Sequence, residues 1–262
     1  MNANKFNISY AKALEYWSEI PPTVDGVLGG FGFISELDIN GSKLFLESLL
    51  SSENAPGCSL ALDCGAGIGR ITKDLLIHHF EAVDVVEPDL KFINSIREFV
   101  GDGQLKIRRL YNVGLQEFIP ENKYDIIWNQ WVLGYLTDED LVSYLIRCRD
   151  ALAPSGVIVV KENVTSTGKT EKDETDSSIT RSLKQFIKIF KSASLKRIKQ
   201  CKQTNFPNGI YPIIKCRRIT VCPGIPRFGQ YNDRATTHKT LGTVRLNVGV
   251  PIVVMETTDQ GD

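Results

Sequence analysis

The chain has 262 residues, which is enough for one large α/β domain or two small ones around a sizeable hydrophobic core. Its 31 basic and 31 acidic side chains cancel, so no global field recruits nucleic acid or a membrane surface, and we expect neither as a partner. Six cysteines without a Cys-x-x-Cys pair and only three histidines favour neither a disulfide framework nor a zinc site. We therefore expect no bound metal. With no secretory signal in the first residues, we expect a reducing compartment, the cytoplasm or the nucleus.

The first predicted helix covers residues 10–17. It places Tyr10, Leu14 and Trp17 on one face and ends before a pair of prolines. Residues 24–33 follow and contain four glycines, which indicates a mobile or tightly bent segment. This segment is either a linker that ties the first helix to the core or a lid over a ligand, and the residues alone leave both open.

A second helix is predicted over residues 40–50, with Leu44, Phe45 and Leu49 as its buried stripe. Together with the first helix and the glycine-rich segment, it forms an N-terminal region, residues 1–57, ahead of the core.

A turn rich in glycine organises the core. Residues 59–70 read SLALDCGAGIGR, in which a short buried strand ends at Asp63 and glycines then alternate up to a helix that begins near Ile68. The spacing differs from the Gly-x-Gly-x-x-Gly of dinucleotide sites, and a carboxylate already ends the strand. The pattern therefore favours a nucleoside ligand without a pyrophosphate. The three glycines are Gly65, Gly67 and Gly69.

Two charged residues flank this turn. Glu87 ends the next strand about 20 residues beyond the first glycine, where a carboxylate of a nucleotide-binding βαβ unit reaches the ribose hydroxyls; the alternative is that Glu87 only caps the following helix. Arg70 lies in the first turn of the helix that follows the glycines. The helix macrodipole disfavours a cation at this position. An anion is therefore expected beside Arg70, either the carboxylate of a ligand or a surface carboxylate of the protein.

The rest of the chain alternates strands and helices, which predicts a doubly wound α/β sheet of about seven strands, mostly parallel, with helices on both faces. An antiparallel edge hairpin is predicted from residues 195–203 and 211–217. The core then covers residues 58–219. Residues 220–262 are predicted to be a poorly ordered tail, because the sheet is complete without them, although residues 241–255 alternate apolar positions and could pair as a strand.

Three polar stretches follow predicted strand ends, where ligands of open α/β sheets bind. They are residues 129–135, residues 161–163 and the threonine-rich, charged loop 165–176. We expect them to face the same crevice as the glycine turn.

Several of these stretches resemble a known family. The glycine turn with Glu87 is similar to the S-adenosylmethionine site of class I methyltransferases. More specific stretches resemble the protein N-terminal methyltransferases, which methylate the α-amino group of chains that begin Xaa-Pro-Lys or Xaa-Pro-Arg. The resemblance covers about residues 10–218 and is carried by Tyr16-Trp17, IPPTVDGVLGG at 20–30, LDCGAGIGRIT at 62–72, WNQW at 128–131, DSS at 176–178 and Phe206-Pro207.

The resemblance implies a Rossmann-like fold, S-adenosylmethionine as cofactor and protein N-terminal tails as substrates. It implies a cofactor site made of Asp63, Gly65, Gly67, Arg70, Glu87, Pro88, Leu115, Gln116 and Trp131. It implies substrate contacts from Trp17, Leu28, Gly29, Ile34, Asn163, Asp173 and Tyr211. The implied catalytic residues are Asp176 and Tyr135.

The chemistry of methyl transfer agrees with these roles. The cofactor carries an activated methyl group, so the protein has to align an uncharged nitrogen about 3 Å away and accept its proton. An α-amine with a pKa of about 7.7 to 8.0 is mostly protonated at neutral pH, and Asp176 can hold the ammonium and relay its proton. Trp17 and Trp131 suit a cationic amine by cation–π attraction.

One residue departs from the family pattern. Family members usually carry histidine where this chain has Tyr135, and a tyrosine is a poor base at neutral pH. Proton removal then depends on Asp176, and the rate or the number of methyl groups added is expected to differ. Two other hypotheses stay open: a cofactor-binding pseudoenzyme that captures N-terminal tails, and a methyltransferase of small amines.

Overall fold

The structure is a computed structural model and describes residues 6–165, 167–202 and 251–257. Five parallel strands form the centre of the sheet in the order β3-β2-β1-β4-β5, and two antiparallel strands, β9 and then β8, continue it beyond β5. A separate small hairpin pairs β6 with β7. The strands are β1 Leu60–Cys64, β2 Ala82–Val86, β3 Ile107–Tyr111, β4 Tyr124–Gln130, β5 Leu152–Lys161, β6 Glu171–Lys172, β7 Ile179–Thr180, β8 Leu195–Lys202 and β9 Pro251–Thr257.

Helices cover both faces of the sheet. Successive residues of a strand point to opposite faces, so Leu62 packs under α6 and α7 while Ala61 packs under α3 and α5. The predicted α/β fold with a mostly parallel sheet is therefore confirmed. The helices are α1 Tyr10–Glu19, α2 Val24–Val27, α3 Ser35–Leu50, α4 Arg70–Asp74, α5 Leu90–Val100, α6 Asp138–Asp150 and α7 Leu183–Ser192, with short 3-10 helices at Gly32–Ile34, Leu76–His78, Gly101–Lys106 and Leu133–Tyr135.

Helix α3 differs from its prediction in its start and in its buried face. It begins at Ser35 rather than at residue 40, and Leu44, predicted to be buried, is half exposed. Phe45 and Leu49 are buried as predicted, but the same face also buries two polar residues, Asp38 and Ser42. Hydropathy could not indicate that face, because buried polar groups have no apolar signature and are explained only by their partners.

The edge of the sheet also differs from the prediction. The stretch predicted as the first strand of the hairpin is a strand, β8, but its partner is β9, which lies between β5 and β8. The expectation that the tail contributes nothing to the sheet is therefore wrong for Pro251–Thr257. The apolar edge of β5 needs a partner, and Met255 is fully buried against it, opposite Ile158. Residues 211–217 lie outside the described residues.

No helix in the described part of the chain is both long and apolar enough to cross a membrane.

Candidate active site

A cavity of about 480 Å³ opens where β1, β2 and β4 end. Its wall is built from the glycine turn, the ends of β2 and β4, the loop after β3, and residues of α1 and α2. Ligands of open α/β sheets bind at this edge, so the fold itself points to the cavity. The predicted site residues that line it are Trp17, Leu28, Asp63, Gly65, Gly67, Arg70, Glu87, Pro88, Leu115, Gln116, Trp131 and Tyr135.

The glycine turn brings the backbone close to its neighbours. Gly65 and Gly67 have φ angles of 65° and 57°, a region that glycine adopts at little cost. A Cβ on Gly65 would lie 2.3 Å from a methyl carbon of Val132, so a larger residue does not fit there. A Cβ on Gly67 would lie 3.4 Å from a methyl carbon of Val27, which shows that α2 approaches the turn.

The glycine-rich segment 24–33 is folded over one end of the cavity. Thr23 caps α2 by accepting a hydrogen bond from the Gly26 amide at 3.0 Å, and the Asp25 carboxylate accepts one from the Gly32 amide at 2.9 Å. Leu28 is buried and lines the cavity. The sequence left open whether this segment is a linker or a lid. Its position at the cavity is the one expected of a lid.

Two buried carboxylates end β1 and β2. Burial raises the pKa of Asp63 to about 6, although the Thr72 hydroxyl donates a hydrogen bond to it at 2.6 Å. Burial likewise raises the pKa of Glu87 to about 7. One Glu87 oxygen accepts from the Gly67 amide at 2.7 Å and the other from the Asp89 amide at 2.9 Å. Glu87 is therefore joined to the glycine turn, and Asp89, not Glu87, is the N-cap residue of α5.

Arg70 has a buried partner inside the protein. It is 4% exposed, and its Nη1 lies 2.8 Å from a carboxylate oxygen of Asp38. An anion beside Arg70 was predicted, as a ligand carboxylate or a surface protein carboxylate; the structure supplies a fully buried protein carboxylate from α3. Asp38 could not be recognised from the sequence. It lies before the predicted start of α3, and an acidic residue near a helix N-terminus is common.

Trp131 has an unusual backbone and an unpartnered side chain. Its φ is 55°, which is uncommon for a bulky residue, and its amide donates to the Lys161 carbonyl at 3.0 Å. Its indole Nε1 is buried and has no hydrogen-bond partner among the described residues. An unmet buried donor costs about 1–3 kcal/mol, so a donor beside a cavity suits a ligand or water acceptor.

Glu162 holds the loop that carries Trp131. Its carboxylate accepts hydrogen bonds from the amides of Val132 and Leu133, both at 2.6 Å. The side chain is buried, and burial raises its pKa to about 7. Glu162 was predicted to lie near the crevice. Its role could not be predicted from the sequence, because its partners lie about 30 residues away along the chain.

Glu162→Gln is expected to flatten the pH dependence of stability. Burial raises the pKa of Glu162 from 4.5 to about 7, so the folded protein keeps a proton that the unfolded chain releases between these values. Wild-type stability therefore falls as the pH rises through this window, by about 3 kcal/mol from this group, and is level above it. Glutamine keeps an acceptor and carries no charge.

Urea unfolding at about pH 5 and about pH 8 gives the free energy of unfolding at each pH. The contribution of Glu162 changes between these values, so the difference between the two free energies measures it. Glu81→Gln, at an exposed glutamate, is the control and should follow the wild type. A Glu162→Gln variant that also follows the wild type would contradict the assignment.

A second group of side chains adjoins the cavity at Tyr135. Its hydroxyl donates a hydrogen bond to Asp176 at 2.6 Å, and the Trp17 ring lies edge-on to its ring at 6.2 Å between centroids. Burial, reinforced by the charge of Asp176, raises the pKa of Tyr135 well above its ordinary value. Burial and the charges of Asp176 and Asp173 also raise the pKa of Tyr16. Tyr135 therefore keeps its proton at neutral pH.

The acidic loop reaches this group by docking on α1. The Asp173 amide donates to the Ser178 carbonyl at 2.8 Å, and the Ser178 amide donates to Asp176 at 2.9 Å. The Ser9 amide, at the start of α1, donates to the Ser177 hydroxyl at 2.8 Å. The loop was predicted to lie at this edge, and the structure places it beside Trp17 and Tyr135.

Some predicted site residues do not line the cavity. Gly29 is exposed, Ile34 is buried in the protein, and Asn163 is partly buried after β5. Asp176 does not line the cavity but is hydrogen-bonded to the lining residue Tyr135, and Asp173 lies near Tyr16, which is not a lining residue. Tyr211 lies outside the described residues. Within the described residues, no group of three or more histidine, cysteine, aspartate or glutamate side chains could hold a metal ion.

Comparison with known proteins identifies the family. Residues 5–216 match the model of the AdoMet dependent proline di-methyltransferases, where AdoMet is S-adenosylmethionine. The chain belongs to this family. The predicted resemblance to the protein N-terminal methyltransferases is thereby confirmed, and this family member is an S-adenosylmethionine-dependent methyltransferase.

Individual relatives agree. The chain is 48% identical over 216 residues to alpha N-terminal protein methyltransferase 1 of Drosophila melanogaster, covering 80% of this chain and 77% of that protein. It is 49% identical over 207 residues to N-terminal Xaa-Pro-Lys N-methyltransferase 1-A of Xenopus laevis, covering 78% and 92%. A solved S-adenosylmethionine-dependent methyltransferase of Leishmania major has a TM-score of 0.71 and 37% identity, covering 76% of this chain and 78% of that one.

The residues at the cavity suit the family cofactor. Gly65 and Gly67 line the cavity without side chains, so a ligand can approach the backbone of the turn, and the buried carboxylate of Glu87 suits ribose hydroxyls. Arg70 suits a carboxylate, and Trp131, which lines the cavity, has a buried Nε1 without a partner among the described residues. The donor set of this methyltransferase therefore fits S-adenosylmethionine.

Proposed function

We propose that this enzyme methylates the α-amino group of protein N-termini that begin Xaa-Pro-Lys or Xaa-Pro-Arg. The observation that carries the proposal is the hydrogen bond from Tyr135, which lines the cavity beside the Trp17 ring, to Asp176. A carboxylate next to aromatic faces suits an ammonium that enters along the cavity. The names of the relatives, which specify N-terminal Xaa-Pro-Lys substrates, support the same substrate class.

For the cofactor, we assign Arg70 to the methionine carboxylate, Glu87 to the ribose, and Leu115 and Gln116 to the adenine. When bound, S-adenosylmethionine supplies a methyl group on a sulfonium, activated for transfer to nitrogen. The chain positions the amine and takes its proton. The remaining residues that we assign to this site are Asp63, Gly65, Gly67, Pro88 and Trp131.

For the substrate, Asp176 holds the incoming ammonium by charge and accepts its proton, so that the nitrogen presents a free lone pair. Tyr135 keeps its own proton and donates to Asp176, which fixes the orientation of the carboxylate. Asp173, which precedes Asp176 by three residues in the same loop, is assigned to the side chain that follows the substrate amine in the peptide. The other residues that we assign to the peptide channel are Trp17, Leu28, Gly29, Ile34, Asn163 and Tyr211.

One experiment separates this function from its alternatives. The purified protein is incubated with S-adenosylmethionine and a peptide that begins Ser-Pro-Lys, and the products are weighed by mass spectrometry. Added methyl units on the free amine, and none on the acetylated peptide, support the proposal. Binding without mass gain would indicate a pseudoenzyme that captures tails, and methylation of small amines but not of the peptide would indicate the third hypothesis.

Tyr135→His is expected to raise the rate or extend the methylation, because histidine titrates near neutral pH and can accept a proton that tyrosine cannot. Tyr135→Phe is the matched control: it keeps the ring against Trp17 and removes only the hydrogen bond to Asp176. Time courses of mono-, di- and trimethylated peptide measure the effect. Product patterns of Tyr135→His that equal those of the wild type would show that the tyrosine does not limit proton removal.

We propose the cytoplasm and the nucleus as the location, from the cysteine usage, and neither nucleic acid nor a membrane as a partner, from the balanced charge. Microscopy of the tagged protein tests the location. We also propose that the complete fold is a doubly wound sheet of seven strands with an antiparallel edge; the strand order supports it.

A further inference from the structure

We propose that Asp38 is a positioning residue that holds Arg70 in the orientation required for the cofactor carboxylate. Asp38 lies on α3, in the N-terminal region, and is fully buried. This inference rests on the cofactor role assigned above to Arg70. It makes the docking of α3 onto the core a condition for tight cofactor binding.

The contacts of Asp38 divide between its two carboxylate oxygens. Oδ2 lies 2.8 Å from Nη1 of Arg70 and accepts a hydrogen bond at 2.8 Å from Nε2 of Gln130. Oδ1 pairs with Nζ of Lys161, which is fully buried and also donates to the Ser42 hydroxyl at 2.8 Å. The two residues bound to Oδ2 both line the cavity, whereas Lys161 does not.

The charges explain why the carboxylate is needed. Arg70 opens α4, where the helix macrodipole disfavours a cation, and Lys161 adds a second cation in a fully buried position. Both cations lie near the Trp131 ring, at 5.5 and 5.9 Å from its centroid. Asp38 pairs with both cations, so its negative charge offsets part of theirs and holds Arg70 beside the cavity, where a ligand carboxylate can pair with it.

The geometry of Arg70 depends on the same helix. Besides Asp38, the Arg70 guanidinium contacts the Ser35 hydroxyl, in the first turn of α3, at 3.4 Å. A long arginine side chain loses rotamer freedom when it is held, and a partner that holds it beforehand removes that cost from cofactor binding. Without Asp38, the guanidinium would turn toward other acceptors.

The test compares Asp38→Asn with Ser42→Ala. Ser42 lies one turn further along α3, is equally buried and contacts Lys161 but not Arg70. Calorimetry with S-adenosylhomocysteine gives the cofactor-site Kd, and thermal unfolding gives the Tm. We expect Asp38→Asn to raise this Kd by about tenfold or more and to raise the KM for S-adenosylmethionine, with kcat at saturation and the peptide KM within about threefold of wild type. Ser42→Ala should lower the Tm and leave the Kd unchanged.

Each outcome has a distinct meaning. A folded Asp38→Asn variant that binds S-adenosylhomocysteine like the wild type overturns the inference, and so does a Ser42→Ala variant with the same loss of affinity. If Asp38→Asn fails to fold, Asp38→Asn/Lys161→Met removes one charge of each sign and should fold, again with weakened binding; normal binding there also overturns the inference. A wild type that binds no S-adenosylhomocysteine would contradict the proposed function itself.

Discussion

Asp176→Asn is expected to lower kcat for peptide methylation by about a hundredfold or more, the usual contribution of a positioned general base. Tyr135 and Ser178 bind different oxygens of this carboxylate, so the one oxygen of asparagine can still accept from the Ser178 amide, while its NH2 group can donate to the Tyr135 hydroxyl. Asparagine cannot take a proton or neutralise an ammonium. The loss should therefore appear in turnover, while the affinity for S-adenosylhomocysteine stays within about threefold of wild type.

Initial rates at saturating cofactor and peptide measure this effect. Glu174→Gln is the matched control, because Glu174 lies in the same loop, is exposed and pairs with Lys172 at the surface. The control should keep the wild-type rate. Full activity of Asp176→Asn would remove Asp176 from the mechanism and leave proton removal to another group or to water.

Glu87→Ala is expected to weaken cofactor binding by about a hundredfold. Hydrogen bonds to a charged group contribute about 1.5–3 kcal/mol each, so loss of the ribose contacts corresponds to this factor. The substitution also removes the acceptor that holds the Gly67 amide at 2.7 Å, so the glycine turn loses one of its hydrogen bonds to the end of β2. Both effects lower the affinity for the cofactor.

Calorimetry with S-adenosylhomocysteine measures this loss of affinity. Glu81→Ala is the control, because Glu81 precedes the other end of the same strand and is exposed. A Kd for Glu87→Ala within about twofold of wild type would show that the ribose is held by other groups.

The roles proposed for Arg70 and Asp176 would let one site hold both a cofactor carboxylate and a cationic amine. Arg70, held by Asp38, provides a cation at the end of the cavity under the Trp131 ring. Asp176, held by Tyr135, provides an anion beside Trp17. Opposite charges at separate places favour one orientation of the two reactants over the reverse.

Local features of the structure were predicted well from the sequence. The short apolar runs of β1, β2 and β4, the glycine turn with its positive φ angles, and the acidic ends of β1 and β2 each depend on a few neighbouring residues, and the structure contains all of them. The shared helical face of Tyr10, Leu14 and Trp17 on α1 was also predicted, and all three residues line the cavity. In such cases short-range sterics decide the conformation.

Long-range partners were predicted poorly. Nothing near Asp38 indicates that it pairs with Arg70 and Lys161, since the latter is 123 residues away. Glu162 shows no sign in the sequence of its two amide partners. The pairing of β8 with β9 depends on which strand meets the apolar edge of β5.

The sequence by itself determined the fold class, the glycine turn, the carboxylate at Glu87 and the family, because each is written in short stretches whose geometry or motif is local. Only the tertiary structure decided which partners the charged side chains meet: Asp38 meets Arg70 and Lys161, Glu162 meets the amides of the Trp131 loop, and Asp176 meets Tyr135. The physical reason is that a buried charge is tolerated only with a partner, and the path of the chain through the sheet selects that partner.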